Sequence, residues 1–441
     1  MAELKIKSFP FYWRINNKIN THPYIPSRMP YTFKVMKNTN LIIENRDKKL
    51  LSHLNKVYKE DSNIGFLREG HSLAKGYGED FYKFLKYSLK FLKGKKILEI
   101  GCGGCYLLEK LKKLNYEVYG IDPAPIAKRT GKEKKIKIIE DFYPSKKINF
   151  SPDLIFHVDV LEHISDPLTL LKEHYKNLND NGYAVINVPD NTEGVSLGDI
   201  SIATHQHVNN FTEKSLFNLV QKSGLSVVEI RKSGFGGFLY CLASKKKINH
   251  KKKINKLYSI ETKNFFSKSK KAIKKFNKIL NLSIKQKKIV GFYMPLRAFP
   301  YIASYDLPFK YRLFDDQKHW HRKYIDGENT KIENYEDLLK SPVDHLFIMS
   351  ITFGEIVKKK ILKKLPNIKI TLIKELLDDQ KKKNYNKIIN QIEKIRGKNN
   401  TSWMNILRIA FKYSPEETAK VVSKIYLYDI RISKLAKKLR K

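Results

Sequence analysis

Cysteine is scarce: Cys102, Cys105 and Cys241 are the three thiols in a chain of 441 residues. Three thiols cannot staple a chain of this length, so a disulfide framework is excluded. Cys102 and Cys105 have CxxC spacing, but no second pair accompanies them and they stand inside a glycine turn. Neither a zinc nor a redox role is expected of them. Long apolar runs are also missing. No uninterrupted stretch approaches the ~20 residues that span a bilayer, and the opening MAELKIKSFPFYW holds no signal-type apolar core. A cytoplasmic location is expected, with peripheral association with an anionic membrane left open by the basic surface. Acid is in short supply as well, 44 Asp+Glu against 86 Lys+Arg, for a net charge of +42. That balance raises nucleic acid or an anionic membrane as partner. The excess is mostly Lys spread along the whole chain, which reads as solvated faces. Nucleic acid is therefore not the expected partner.

What is present is enough for two or three domains, with 41% hydrophobic and 12% aromatic residues to build cores. The chain is organised around Leu98–Leu107, LEIGCGGCYL. A short apolar run ends at Ile100. Gly101, Cys102, Gly103 and Gly104 follow, and then Leu107, Leu108, Leu111 and Leu114 recur at helical spacing. This is strand, glycine turn, helix. The glycines allow a tight turn and close approach of a ligand, and the helix offers its positive N-terminus. Glu99 precedes the turn. Asp122 ends the next strand-like run, about 20 residues on, where a ribose-binding acid stands in doubly wound sheets.

Residues 1–78 read as an irregular N-terminal lobe or lid, with an amphipathic stretch over 49–58. Residues 79–247 alternate strand and helix signals. Strands are predicted at 96–100, 116–121, 136–140, 153–158, 182–188, 226–232 and 236–244, and helices at 105–114, 166–178 and 213–223. The first five strands alternate with crossovers and form a parallel sheet. The last two are joined by too few residues for a crossover and must close the sheet as an antiparallel hairpin. Residues 248–287 are Lys-rich and read as a basic linker or solvated helix. Residues 288–378 begin a second, smaller Rossmann-like α/β pattern whose first turn, MPLRAFP, lacks GxGxxG. Residues 379–441 read as a basic helical tail.

A parallel sheet closed by a hairpin resembles class I methyltransferases that use S-adenosylmethionine. LEIGCGGC, GIDP, DLIFHVDVLEHISDP and NGYAVINVPD match their motifs in order and spacing. The resemblance implies a donor site. The turn Gly101, Cys102, Gly103 admits the methionine moiety, Glu99 orients its ammonium, and Asp122 accepts the ribose hydroxyls. Asp141 and Phe142 meet adenine, and Asp159 and Val160 close over the donor. Glu162 and His163 resemble a pair that ligates metal in some O-methyltransferases. S-adenosylmethionine is the expected cofactor, and no metal is expected.

The acceptor side rests on the loop that holds His205 and His207. A neutral imidazole is a base suited to an alcohol near pH 7, so both are candidate catalytic residues, His207 first. A structural reading of the same segment has Thr212 as N-cap with Glu213 in the first helical turn. HQHVNNFT, together with ENYEDLLKSPVDHLFIMSITFGEI, resembles bacterial sugar C-methyltransferases. Their N-terminal zinc cysteines are absent here, and Thr204 and Gln206 replace Tyr and Glu of their catalytic segment. The expectation is O- or C-methylation of a nucleotide-linked or glycan-bound sugar, in surface polysaccharide or deoxysugar biosynthesis. The alternatives are a quinone-type or other small-molecule O-methyltransferase, a nucleic-acid methyltransferase, and a non-catalytic donor-binding scaffold. The acceptor, the methylated atom and the oligomeric state stay open.

Overall fold

The computed structural model describes residues 3–11, 15–19, 24–59, 72–248, 258–305, 307–377, 406 and 408–438. Met1–Leu377 form one compact unit and Asp378–Lys441 a second. In the second, the described part includes the helix Pro415–Lys438. Residues 379–405 of the sequence-predicted tail lie outside the described residues.

The N-terminal strands are β1 (Leu4–Pro10), β2 (Ile15–Asn16), β3 (Arg28–Met36) and β4 (Leu41–Glu44). Next come β5 (Lys96–Ile100), β6 (Glu117–Ile121), β7 (Lys137–Ile139), β8 (Leu154–Val158) and β9 (Tyr183–Pro189). They are followed by β10 (Asn209–Asn210), β11 (Ser226–Lys232) and β12 (Phe238–Ser244). Strands β5 to β9 pair in parallel, and β12 runs antiparallel to both β9 and β11. The order is β11-β12-β9-β8-β5-β6-β7. This is a Rossmann-like, mostly parallel sheet, the arrangement that the resemblance implies. Successive side chains alternate across it. Ile97, Leu154 and Phe156 pack with Phe81, Phe84 and Leu108 on one face, while Leu98, Ile155 and Ile186 pack with Leu171 and Leu219 on the other. Burial on both faces explains the near-continuous apolar strands. The carboxyl ends of β5, β6 and β8 converge where the strand order reverses, the place at which such sheets bind ligands.

Residues read as an irregular lobe instead build a sheet. β1, β3 and β4 pair antiparallel, and β4 takes β10 as its next neighbour. β10 follows the loop of His205 and His207, so the N-terminal sheet holds the acceptor loop directly. The pairing spans more than 160 residues of chain, which no local pattern announces.

The Lys-rich stretch is a helix, one of the two forms read for it, but it is packed rather than solvated. The helix Tyr258–Lys285 buries Phe265, Phe266, Ala272, Phe276 and Leu280 in one core with Tyr31, Phe33, Phe292 and Phe347. Its lysines cover the outer face and mask a genuine apolar stripe. The sheet it joins comprises β13 (Val290–Tyr293), β14 (Tyr311–Phe314), β16 (Ile332–Glu333), β17 (His345–Ile348) and β18 (Lys369–Leu372). These run parallel in the order β16-β14-β13-β17-β18. The short strand β15 (Tyr324–Ile325) pairs with β2, and Arg28 forms an ion pair with the buried Glu328. Among the described residues no helix is long and apolar enough to cross a membrane.

Candidate active site

The glycine turn after β5 is held by local geometry. Gly101 has φ +70° and Gly103 φ +43°. A Cβ on Gly101 would lie 2.7 Å from Val160 Cγ2. The Gly101 N–H donates to the Ile121 carbonyl at 2.9 Å, which fastens the turn to β6. Asp122 completes the fastening. Its Oδ2 accepts the Gly103 N–H at 2.9 Å and its Oδ1 the Ala124 N–H at 2.8 Å. Burial raises its pKa, and the two N–H groups oppose that rise. A carboxylate offers about four lone-pair sites, so both oxygens retain capacity for ribose hydroxyls.

Asp141 is similarly preset. It accepts the Ser145 hydroxyl at 2.7 Å and the Phe142 N–H at 2.9 Å. The Ser145 bond leads the effects that hold its carboxyl below the usual range. The Phe142 ring stands exposed beside it. Asp159 is a non-glycine residue at φ +55° at the end of β8. Its carboxylate accepts the Tyr77 hydroxyl at 2.8 Å.

All these residues line one pocket of about 840 Å³: Glu99, Gly101, Cys102, Gly103, Asp122, Asp141, Phe142, Asp159 and Val160. Every donor-site position picked out in the sequence is brought together there. The pocket continues into a second group, Glu162, His163, Gln206 and His207, and is bounded by Leu51, Leu54 and Tyr58 from the helix Lys48–Lys59.

His163 can be assigned a tautomer. Its Nδ1 lies 2.8 Å from the Gln206 carbonyl, which can only accept. Nδ1 therefore carries the proton and Nε2 presents a lone pair. The Tyr58 hydroxyl sits 3.0 Å from the same Nδ1 and 3.3 Å from the same carbonyl. Burial raises the Tyr58 pKa, so the phenol stays protonated. The His207 ring packs edge-on to His163, with centroids 4.9 Å apart. Burial lowers His163 to about 4, and burial with His163 nearby lowers His207 to about 3. Both are neutral imidazoles at pH 7. Among the described residues neither carboxylate oxygen of Glu162 has a hydrogen-bond partner, and burial followed by Asp159 pushes its pKa well up.

Potential ligand atoms of Glu162, His163 and His207 lie within 4.8 Å of one another. Two nitrogens and an unpartnered carboxylate form a donor set that fits a divalent cation. These are the residues that could hold one, were one bound.

His205 is not part of this pocket. It is buried with its Nδ1 2.6 Å from Glu44 Oε1, among the rings of Phe9, Phe11 and Tyr31. The sequence presented two histidines two residues apart beside the site. The two sit in a turn closed by the His207 N–H donating to the Thr204 carbonyl at 3.1 Å, and one faces the pocket while the other faces the N-terminal sheet. Thr212 caps the next helix by accepting the Ser215 N–H at 3.1 Å. Tyr58 escaped the sequence reading. Its amphipathic helix is visible there, but nothing local says which cavity the helix borders.

Comparison with known proteins bears on the domain that holds this pocket. Residues 76–230 match the family described as "Methyltransferase domain". The chain carries a class I S-adenosylmethionine-dependent methyltransferase domain. Within this methyltransferase, 138 residues are 28% identical to a ubiquinone biosynthesis O-methyltransferase of Azorhizobium caulinodans, covering 29% of this chain and 51% of that one. A Cereibacter sphaeroides protein of the same name is 26% identical over 167 residues, 34% of this chain and 67% of its own. The chain thus spans about half the length of the first relative. A solved structure of the N-methyltransferase NodS from Bradyrhizobium japonicum, in complex with S-adenosyl-L-homocysteine, aligns with 45% of this chain and 99% of its own. Its identity is 17% and its TM-score 0.34.

Proposed function

We propose that the chain is an O-methyltransferase that passes the methyl group of S-adenosylmethionine to a hydroxyl seated at Glu162, His163 and His207. One observation carries this reading: a single pocket runs from the glycine turn and Asp122 to these three residues. A donor and an acceptor seated there would share one space, which would supply the proximity and alignment that an in-line displacement needs. The acceptor oxygen attacks the methyl carbon, the carbon–sulfur bond breaks, and a neutral thioether leaves. The oxygen becomes strongly acidic as the methyl arrives. Neutral His207, weak base though it is at about 3, then takes the hydroxyl proton. A divalent cation held by Glu162, His163 and His207 would instead ionise the hydroxyl beforehand, with His207 as its ligand.

A small phenolic acceptor is favoured over a sugar. Leu51, Leu54, Ile164, Leu170 and Phe238 give the pocket apolar walls, which suit an aromatic ring. The relatives' names point the same way. The sugar reading keeps one observation in its favour. The matched regions cover 29–34% of this chain, and they do not account for the five-stranded sheet of β13, β14, β16, β17 and β18. The test is incubation with labelled donor and a panel of catechols, other phenols and sugar nucleotides, read by mass spectrometry. Transfer to a phenolic oxygen is the expected result. Transfer to a sugar alone would replace this acceptor with the second one.

A further inference from the structure

Asn209 lies outside the pocket lining, yet one side chain ties four elements to the acceptor corner. It is almost fully buried in β10, paired through the backbone with Ile43 of β4. Its amide nitrogen donates to the Leu161 carbonyl at 2.9 Å and the Ile164 carbonyl at 2.7 Å. Those carbonyls bracket the turn that carries Glu162 and His163. Its oxygen accepts from Arg46. Arg46 in turn is attracted by Asp166, whose side chain caps the helix Pro167–Asn177. The orientation of the amide is settled chemically: carbonyls face one end and a guanidinium the other, so it cannot flip without losing both sets of bonds.

We propose that Asn209 is a positioning residue for methyl transfer, holding the His207 loop against the Glu162–His163 turn and thereby keeping His163 in its Nδ1–H form. The claim rests on the methyl-transfer reading for its kinetic consequence only. The seam it closes is crossed elsewhere by the 2.8 Å contact of His163 Nδ1 with the Gln206 carbonyl, and that contact selects the tautomer. A change that opens the seam frees the imidazole to exchange tautomers, and the Nε2 lone pair no longer points steadily at Glu162 and His207. Aspartate at 209 keeps an acceptor for Arg46 but turns acceptors toward two carbonyls. Alanine removes the amide donor from both carbonyls, leaves Leu161 with the long Ile164 N–H contact at 3.4 Å, and adds no charge.

The experiment uses the full chain, labelled with 15N-histidine, with the His163 signals assigned by a His163→Gln variant. Wild type is expected to show His163 with Nδ1 protonated. In Asn209→Asp the His163 signals are expected to move toward the average of both tautomers. Donor affinity should stay within twofold, and turnover at saturating acceptor should fall at least tenfold with KM little changed. Asn209→Ala carries the same expectation and serves if the aspartate variant does not fold. Unchanged His163 signals in a folded variant would overturn the proposal. So would parallel losses of melting temperature and donor affinity with the tautomer intact, because they describe a residue that only supports the fold. If wild type methylates none of the acceptors, the functional reading fails, and the His163 signals still decide the role of Asn209.

Discussion

The Gly103 N–H points at Asp122 Oδ2 across 2.9 Å, so the acid that should meet the ribose also fixes the turn that should meet the methionine. Asp122→Asn replaces one accepting oxygen by a donating nitrogen. That nitrogen then faces either the Gly103 or the Ala124 N–H, and donor meets donor. Losing one such charged hydrogen bond costs about 1.5–3 kcal/mol. Calorimetric titration with S-adenosylmethionine is expected to show affinity reduced about 10–100-fold.

Gly101→Ala tests the turn itself. Its φ of +70° disfavours a side chain, and the new Cβ would meet Val160 Cγ2 at 2.7 Å. The left-handed conformation alone costs about 1 kcal/mol, and Val160 must move away from the donor. Donor affinity is expected to drop at least tenfold, with a small loss of melting temperature. An unaltered dissociation constant would separate the turn from donor binding.

Glu44 gives stability a pH dependence. Burial, opposed by His205, raises its pKa to about 7. Between its unfolded value, near 4.3, and about 7, the native state binds more protons than the unfolded state. Its contribution to stability is therefore greatest in acid and is lost as pH rises through 7. Glu44→Gln keeps an oxygen toward His205 Nδ1 and removes the titration. Urea unfolding should show the variant gaining on wild type between pH 5 and 8, by about 3 kcal/mol at the upper end. The comparison with wild type matters because buried His174, lowered to about 4, titrates in the opposite sense. A constant difference across that range would remove Glu44 as its source.

The trio Glu162, His163 and His207 makes a direct prediction about metal uptake. With His207 as a free base, titrating the metal-free protein with Co²⁺ is expected to give no ligand-field absorption; one equivalent of binding, lost in His163→Ala, would make His207 a ligand instead.

The candidate donor pocket was legible because its elements are local. Strand, glycine turn, helix and acid occupy residues 96–122, and the intervals among Glu99, Gly101, Gly103 and Asp122 are set by one βαβ unit. The acceptor corner was only half legible. His207 and His205 look equivalent as text, and the difference comes from Glu44, 161 residues away. The N-terminal sheet depends on long-range pairing of β4 with β10. The helix Tyr258–Lys285 was legible as a basic helix, but its burial was obscured by its lysines, although the buried Phe265, Ala272 and Phe276 keep a helical spacing.

The most direct measurement compares wild type with His207→Ala in two assays on the same preparations: donor affinity by calorimetry, and methyl transfer to the phenol panel by mass spectrometry. The account expects wild type to methylate an oxygen. His207→Ala should bind donor within twofold of wild type and lose at least 100-fold in turnover, within the range of acid–base and ligand contributions. Unchanged turnover in His207→Ala, or wild-type protein that binds the donor and methylates no hydroxyl, would contradict it.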